Sequence, residues 1–475
     1  MRKLFLLLLV AVMLLQACTA VKEDENTNAY AEQAGELTVQ EIDLVPEIII
    51  SPVLYFLNES QTKLQAETRE IRVPAYRLRE DYVIRALIEG PVSENLRPVM
   101  DGMGLEYLEI MPDMLNVYLT RESYIREEDI MNAKLAVATT LVEFTGKKYV
   151  NIFINGVQTG YRSSEPTGAL TNLGNDLSEE KLSLRGKSQS DNPDMQTALY
   201  FLDSSEKFLL PEVRRLVFRD NEYVRTIVDQ MIGGPSDTVD HRSSLDSSLR
   251  LLDYEFTFDE NRQQVLNLKF NKEPVVYTDE FVDGQEMALA ALTYTLTGFI
   301  PELYGITYQI GEVPGNGKVY TAEQYRPLIG SDILVYLPNG STSTLLIGVE
   351  RIIRQDMSTD PGVVLSELMK GPSAYDRSDA YPAMPAGITY EDVDDIYIAG
   401  DMMVVNLDNA VDAKMMAVTQ ENEFTMIFSI ANTLTNFEGI RSVQFLVEGE
   451  RVEYLGEGWI CLIDPIIKNP GIIRY

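Results

Sequence analysis

Apolar and polar positions follow one another in the same order three times along this chain. Each round opens on a short apolar run: Val53-Leu54-Tyr55-Phe56-Leu57, Ala198-Leu199-Tyr200-Phe201-Leu202 and Ile333-Leu334-Val335-Tyr336-Leu337. Runs of this length, rich in aromatic and branched residues and followed by polar turns, read as strands. A second strand is expected to begin near an arginine, at Arg69-Glu70-Ile71, Arg214-Arg215-Leu216-Val217 and Arg351-Ile352-Ile353. The period then changes. Val224, Ile227, Val228, Met231 and Ile232 fall on one face of a helix, as do Val83, Ile84, Leu87 and Ile88, then Val364, Leu365, Leu368 and Met369. Each helix runs into Gly-Pro, at Gly90-Pro91, Gly234-Pro235 and Gly371-Pro372. Glycine suits a left-handed cap and proline cannot prolong a helix, so the pair is a stop signal.

Beyond Gly-Pro the order continues with a loop, two strands, a second helix and a last strand. In the third round the strands are expected at Ile388 to Val393 and Met403 to Leu407, after a turn at Pro385-Ala386-Gly387. The second helix ends in Thr-Leu-x-x-Phe: Thr140, Leu141, Phe144; Thr295, Leu296, Phe299; Thr433, Leu434, Phe437. The last strands are Val150 to Ile154, Ile306 to Ile310 and Val443 to Val447. In the second of these the apolar parity is offset by one, which a bulge or a one-residue slip explains. From the strand tyrosine to the stop glycine is 35, 34 and 35 residues, and from the phenylalanine to Gly156, Gly311 or Gly449 is 12 each time. Such regular spacing means three copies of one domain. The fold class is α+β: three tandem sandwiches, each a sheet of about four to five strands with two helices on one face. From the stop glycine to the threonine is 50 residues in the first copy against 61 and 62 in the others.

The ends of the chain read differently. Arg2-Lys3 precedes an apolar run from Leu4 to Leu15, too short to span a bilayer and right for a signal-peptide core. Leu15-Gln16-Ala17-Cys18 looks like the lipobox of bacterial lipoproteins, which implies cleavage after residue 17 and a diacylglyceryl group (and palmitate) on the Cys18 thiol. Two chains suffice for stable membrane anchoring. Residues 18–47 read as a flexible acidic tether, 161–196 and 315–332 as linkers, and 458–475 as a tail that either packs back or offers a docking strand. The domains are expected at 48–160, 197–314 and 333–457.

Charge narrows the partners. Removing residues 1–17 leaves 38 basic against 73 acidic side chains. That surface repels nucleic acid and anionic headgroups, so no nucleic-acid partner is expected and membrane attachment falls to the lipid. With Cys18 acylated, Cys461 has no partner in the chain and, between Ile460 and Leu462, is expected to be buried.

The sequence points to no catalytic residue, metal site or cofactor. His241 is the single histidine, in a polar stretch that reads as a solvated loop, and neither other copy holds an equivalent base. One histidine and one non-lipidated cysteine cannot supply a usual zinc site. Glu391-Asp392-Val393-Asp394-Asp395 lacks the alternation of a calcium loop and reads as a solvated acidic edge. The matching Tyr55, Tyr200 and Tyr336 read as core, with wall-sugar stacking open to the remaining tyrosines.

The ordered set of tyrosine strand, arginine strand, Leu-x-x-Gly-Pro helix, Thr-Leu-x-x-Phe helix and glycine-ended strand resembles the GerMN family. The third copy matches most fully, through Arg351, Leu368, Gly371, Pro372, Pro385, Gly387, Val405-Asn406-Leu407, Thr433-Leu434 and Phe437. In the first, Met111-Pro112-Asp113 and Asn116-Val117-Tyr118-Leu119 replace the expected pattern. The resemblance implies a fold like the ring-building motifs of secretion assemblies. It also implies lipid anchoring on the outer face of the cell membrane and work in sporulation or spore germination. A related domain occurs in lipoproteins that accompany a sensor kinase. Two readings stay open. One is a non-catalytic scaffold contacting envelope proteins, with self-association. The other is an extracytoplasmic binder of peptidoglycan, a muropeptide or a germinant, with a pocket near the loops after Gly90, Gly234 and Gly371.

Overall fold

The structure is a computed structural model that describes residues 47–74, 77–121, 126–160, 165–172, 194–277, 284–374 and 376–474. The expected signal peptide, Cys18, the tether up to residue 46 and most of the 161–196 linker lie outside the described residues. The first repeat holds β1 (Glu47–Ile50), β2 (Val53–Asn58), β3 (Leu64–Thr68), β4 (Ile71–Pro74), helix α1 (Arg79–Glu89), β5 (Leu96–Arg97), β6 (Met103–Ile110), β7 (Met114–Arg121), helix α2 (Glu127–Thr145), β8 (Tyr149–Ile154) and β9 (Val157–Gln158). The second holds β10 (Asp194–Asp203), β11 (Leu209–Val217), α3 (Tyr223–Ile232), β12 (His241–Arg242), β13 (Leu251–Phe258), β14 (Gln264–Phe270), α4 (Gln285–Thr297) and β15 (Leu303–Ile310), followed by the short α5 (Ala322–Tyr325). The third holds β16 (Gly330–Pro338), β17 (Leu346–Arg354), α6 (Pro361–Met369), β18 (Val393–Ala399), β19 (Met402–Leu407), α7 (Ala410–Met415), α8 (Gln420–Leu434), β20 (Ser442–Val447), β21 (Glu450–Arg451), β22 (Ile466–Ile467) and β23 (Ile473–Arg474).

The α+β class stands, with the long strands of each repeat divided between two sheets. A hairpin (β2–β3, β10–β11, β16–β17) forms one. In the other, the middle strand pairs antiparallel with the strand before it and parallel with the strand after it, as β6–β7–β8, β13–β14–β15 and β18–β19–β20. The parallel pair requires a crossover, and the second helix supplies it. The second helix touches both the first strand and the last, so the helices join hairpin to sheet. All three sheets carry a bulge at the same register, beside Leu105, Leu251 and Val393. Leu54, Phe56, Leu87 and Leu141 are fully buried in one hydrophobic core; Leu199, Phe201, Met231 and Leu296 in a second; Val335, Leu368, Leu434 and Phe445 in a third.

Two repeated sequence signals have one physical explanation each. The threonine of Thr-Leu-x-x-Phe accepts the backbone N–H of the strand tyrosine: Tyr55 to Thr140 at 3.2 Å, Tyr200 to Thr295 at 3.0 Å, Tyr336 to Thr433 at 3.0 Å. A buried N–H left without a partner costs about 1–3 kcal/mol, so this bond ties helix to hairpin in every copy. The arginine donates to the carbonyl of the stop glycine: Arg69 to Gly90 at 2.8 Å, Arg214 to Gly234 at 2.8 Å, Arg351 to Gly371 at 2.6 Å. Those glycines have φ of 89°, 84° and 71°, a region that favours glycine. Glu67 and Glu212 hold Arg69 and Arg214; in the third copy Asp376, arriving from the loop, does so at 2.7 Å. Burial opposes ionisation of Glu67, but the Arg69 bond and the N–H groups of Val92 and Ser93 hold its pKa at about 2.

Several expectations are corrected. In the later repeats the arginines do not begin their strands, since Arg214 and Arg351 lie deep in β11 and β17, whereas Arg69 falls between β3 and β4, which begins at Ile71 as expected. In the third repeat the strand runs from Val393 to Ala399, and Tyr390–Asp392 forms a 3-10 turn closed by Thr389 and Asp392. The parity offset in β15 is a one-residue slip. Gly311 donates to the Phe270 carbonyl as Asn155 and Glu448 donate to Leu119 and Leu407, so it is the first turn residue and not the second. Cys461 is exposed. The tail there alternates, with Leu462 buried and Ile460 half-buried on one side and Trp459, Cys461 and Ile463 facing out. His241 sits in β12 opposite Asp203, its ring edge-on to Phe201 with centroids 6.5 Å apart, and so is half-buried. From the equivalent ladder residues Leu119, Phe270 and Leu407 to the clamp threonine is 21, 25 and 26 residues, so most of the extra residues of the later repeats precede the end of the middle strand, and the others fall where the third repeat places α7. Residues 315–332 pack on the second repeat, burying Tyr320 and Tyr325. The tail packs back on the third, β22 pairing with β20 and β23 with β17.

Candidate functional site

β7 is buried on both faces, which the sequence shows as apolar, amide and aromatic residues in alternation without a charged side until Arg121. Leu115, Val117 and Leu119 face the first repeat's own helices, in its core. Asn116 and Tyr118 alternate with them on the outer face, and the second repeat covers that face. Glu109, opposite Asn116 in the β6–β7 ladder, is fully buried there.

Glu109 gathers donors from three parts of the chain. Asn116 Nδ2 donates to it at 2.9 Å and Tyr118 OH at 3.2 Å, both from β7. Tyr294 OH on α4 of the second repeat donates at 3.0 Å. The Arg326 Nε, beyond the second repeat, lies 4.0 Å from Glu109 Oε1, and its guanidinium carbon sits 3.8 Å from the centre of the Tyr107 ring. Asn116 Nδ2 also donates to Tyr200 OH at 3.0 Å, which extends the net to β10. Burial raises the Glu109 pKa, and the Asn116 and Tyr294 bonds oppose it without reversing it.

A second buried ion stands at the same junction. Lys134 of α2 is fully buried, donating to Gln158 Oε1 at 2.6 Å and to the Thr159 carbonyl at 2.5 Å. Gln158 in turn donates to the Gly298 carbonyl at 3.5 Å and its own carbonyl accepts from the Glu302 N–H at 2.8 Å, both in the second repeat. Burial drops the Lys134 pKa to about 7, with Glu302 pulling weakly the other way. The unfolded lysine titrates near 10.5, so stability contributed at this site grows as pH rises from 7 to 10.5. Lys134→Met should therefore stabilise the protein at pH 6 by up to about 5 kcal/mol, at 1.36 kcal/mol per pKa unit. At pH 10.5 the sign should reverse by about 1 kcal/mol, because only the lost hydrogen bonds remain. Denaturant melts at the two pH values check both.

The third repeat contributes lighter contacts to the first. Gln355 Nε2 donates to the Leu108 carbonyl at 3.3 Å, Lys147 lies 3.7 Å from Asp332, and Arg79 lies 3.5 Å from Glu438. Partly exposed pairs of this kind contribute about 0–1 kcal/mol each.

The residues singled out from sequence fall elsewhere. His241 lies on the second repeat's hairpin, Asp392 accepts from Thr389 N–H and pairs with Lys414, and Asp394 and Asp395 are exposed on β18. The structure does not bring them together. The loop after Gly371-Pro372 lines an open cleft of about 190 Å³ with the β16–β17 turn and α8, among them Ser341, Tyr381, Pro385 and Asn422. Among the described residues, no three His, Cys, Asp or Glu side chains are grouped to hold a metal ion, and no helix is long and apolar enough to cross a membrane.

Comparison with known proteins agrees with the repeat pattern. A family model described as Germane, sporulation and spore germination, matches residues 53–160, 198–314 and 334–453. No curated protein matches the chain. Among solved structures, the tandem GerMN domains of the sporulation protein GerM from Bacillus subtilis are 14% identical over 57% of this chain and 97% of that one, with a TM-score of 0.25. The first GerMN domain of the same protein is 18% identical over 28% of this chain and 98% of that one, at 0.20. A putative lipoprotein from Clostridium perfringens is 22% identical over 25% and 80% of the two chains, at 0.16.

Proposed function

From the premise that this chain belongs to the Germane family of sporulation and spore-germination domains, we propose that it is a non-catalytic assembly protein of the cell envelope. Its domains work by docking other protein surfaces. One observation carries the reading: the outer sheet face of the first repeat is itself a protein-docking surface, Glu109 bonding Tyr294 on the second helix of its neighbour and Asn116 bonding Tyr200 on the neighbour's first strand. The groups common to all three repeats, the threonine clamp and the arginine on the stop glycine, bind backbone within one repeat and serve folding. What distinguishes the repeats is what their sheet faces carry.

The anchor belongs to the same proposal. Cys18, in Leu15-Gln16-Ala17-Cys18, carries the lipid and holds the repeats outside the cell membrane. Cys18→Ala should move the protein from the membrane pellet to the soluble fraction and abolish labelling by radioactive palmitate. Retention of both in the variant would contradict the anchor.

The function is tested in the host cell. Loss of the chain should lower the yield of heat-resistant spores or slow their germination, and the wild-type chain should restore it. A Glu109→Ala chain, present at normal level, should restore it only in part. Normal sporulation and germination without the chain would contradict the proposal.

A further inference from the structure

Three positions on the first strand and second helix of the second repeat receive the first. These are the strand tyrosine Tyr200, Tyr294 just before the clamp threonine, and Gly298 three residues after that threonine. The threonine clamp places the third repeat's equivalents without ambiguity, as Tyr336, Asn432 and Asn436. Among the described residues it is the chain's own tail, and not another repeat, that sits on them. Asn432 Nδ2 donates to the Asn469 carbonyl at 3.2 Å, and Asn469 N–H donates to Asn432 Oδ1 at 2.7 Å. Lys468 Nζ donates to Asn436 Oδ1 at 2.7 Å and lies 5.6 Å from the centre of the Tyr336 ring. One surface thus has two covers in one molecule, a sheet face in the second repeat and a tail in the third.

A matching sheet face is open on the second repeat. Its bulge and ladder register set Glu255 where Glu109 stands and Asn267 where Asn116 stands, again as a cross-strand pair. Glu255 is exposed and Asn267 and Lys269 are half-buried, with Asn267 bonded to Gln309 and Thr307 on the same face. The acid and amide that the first repeat uses for docking are therefore repeated on an uncovered face.

We infer that the Tyr336–Asn432–Asn436 surface is a docking site for the second-repeat sheet face of another copy of this chain, and that the tail over Lys468 and Asn469 holds it closed. In the open state Asn432 Nδ2 takes the part of the Tyr294 hydroxyl as donor to Glu255. The Tyr336 hydroxyl meets Asn267 as Tyr200 meets Asn116. Lys468 bonds Asn436 through a single ammonium, and Ile467 beside it is exposed, so the cover is lighter than the buried net at Glu109. The contact is head-to-tail, because the two surfaces differ. This inference rests on the assembly reading above.

The test uses the full chain with Cys18→Ala to keep it out of membranes, followed by analytical ultracentrifugation across a hundredfold concentration range. The intact tail should give a monomer. Cutting the chain after Pro465, which removes the Lys468 ammonium and the Asn469 backbone groups that bond Asn432, should at least double the weight-average mass at the upper concentrations, and Lys468→Ala in the full chain should give a smaller rise. Adding Glu255→Lys should return it to the monomer. A shortened chain whose repeats still melt cooperatively and that stays monomeric would overturn the inference. So would an oligomer indifferent to Glu255→Lys. Either result leaves the spore phenotype as the separate test of the assembly reading.

Discussion

Glu109→Ala should cost about 3–5 kcal/mol and split the unfolding of the chain into separate transitions. The carboxylate is fully buried and takes hydrogen bonds from Asn116, Tyr118 and Tyr294, two from its own sheet and one from the neighbouring repeat. Its removal leaves the Tyr118 and Tyr294 hydroxyls without that acceptor and Asn116 Nδ2 with only its bond to Tyr200, beside the Arg326 guanidinium. Each orphaned donor costs about 1–3 kcal/mol, and the values are not independent. Each repeat has its own core, so loss of the junction should uncouple the first from the second and not unfold both. Calorimetry should show one envelope resolving into two. The pH dependence has a fixed sign: the folded pKa is raised, so the contribution of Glu109 is present in acid and lost as pH rises through that folded value. Glu109→Gln, which keeps shape and polarity, should flatten this dependence. An unchanged melt in Glu109→Ala would mean that the repeats are held by their apolar contacts alone.

Arg351→Ala should cost the third repeat about 3–5 kcal/mol, the usual effect of breaking a buried charge pair by removing one partner. The guanidinium is nearly buried, donates to the Glu367 and Gly371 carbonyls at 2.6 Å each, and pairs with Asp376, itself 5% exposed, at 2.7 Å. Without it Asp376 is left charged and enclosed, and the end of α6 loses its cap. Arg351→Lys should recover only part, because an ammonium cannot reproduce the planar fork that spans two carbonyls and a carboxylate. Urea melts of the variants, with Arg214→Ala as the second-repeat control, measure the effect. Equal stability of Arg351→Lys and wild type would refute the account of the fork.

Much of the fold was legible because each repeat spells its elements three times. The 3.6-residue stripes gave α1, α3 and α6, and the Gly-Pro stops gave their ends. Asn155-Gly156 and Glu448-Gly449, with φ of 52° and 80°, then 51° and 81°, are the tight turns that the closing glycines signal. The strand expected from Ile388 starts later for a physical reason: a 3-10 turn closed by Thr389 and Asp392 interrupts the apolar run, and the strand begins only at Val393. Apolar neighbours make Cys461 look buried, yet Ile460 and Leu462 take the inward positions and leave it exposed.

The docking face was written in the sequence as divergence. By ladder register Asn116 and Tyr118 stand where the third copy has Val404 and Asn406, and they lie on the outer face, where Asn116 bonds Tyr200 of the second repeat; Val117 and Leu119 keep the apolar pattern and face the first repeat's core. Glu109 and Lys134 gave no separate signal. A single acid among 73 acidic residues and a lysine on a helix look like solvated surface until the fold shows what covers them. The partner of Glu109 lies 185 residues away at Tyr294, a separation no local pattern reveals.

The most direct measurement of the central claim is chemical cross-linking in intact cells, growing and sporulating, followed by capture of the anchored chain and mass spectrometry of the linked peptides. The account predicts envelope proteins, or further copies of the chain, joined through the sheet faces and second helices of the repeats in sporulating or germinating cells. Cross-links confined to wall fragments, with the same protein background in both states, would contradict it and favour a wall-binding role.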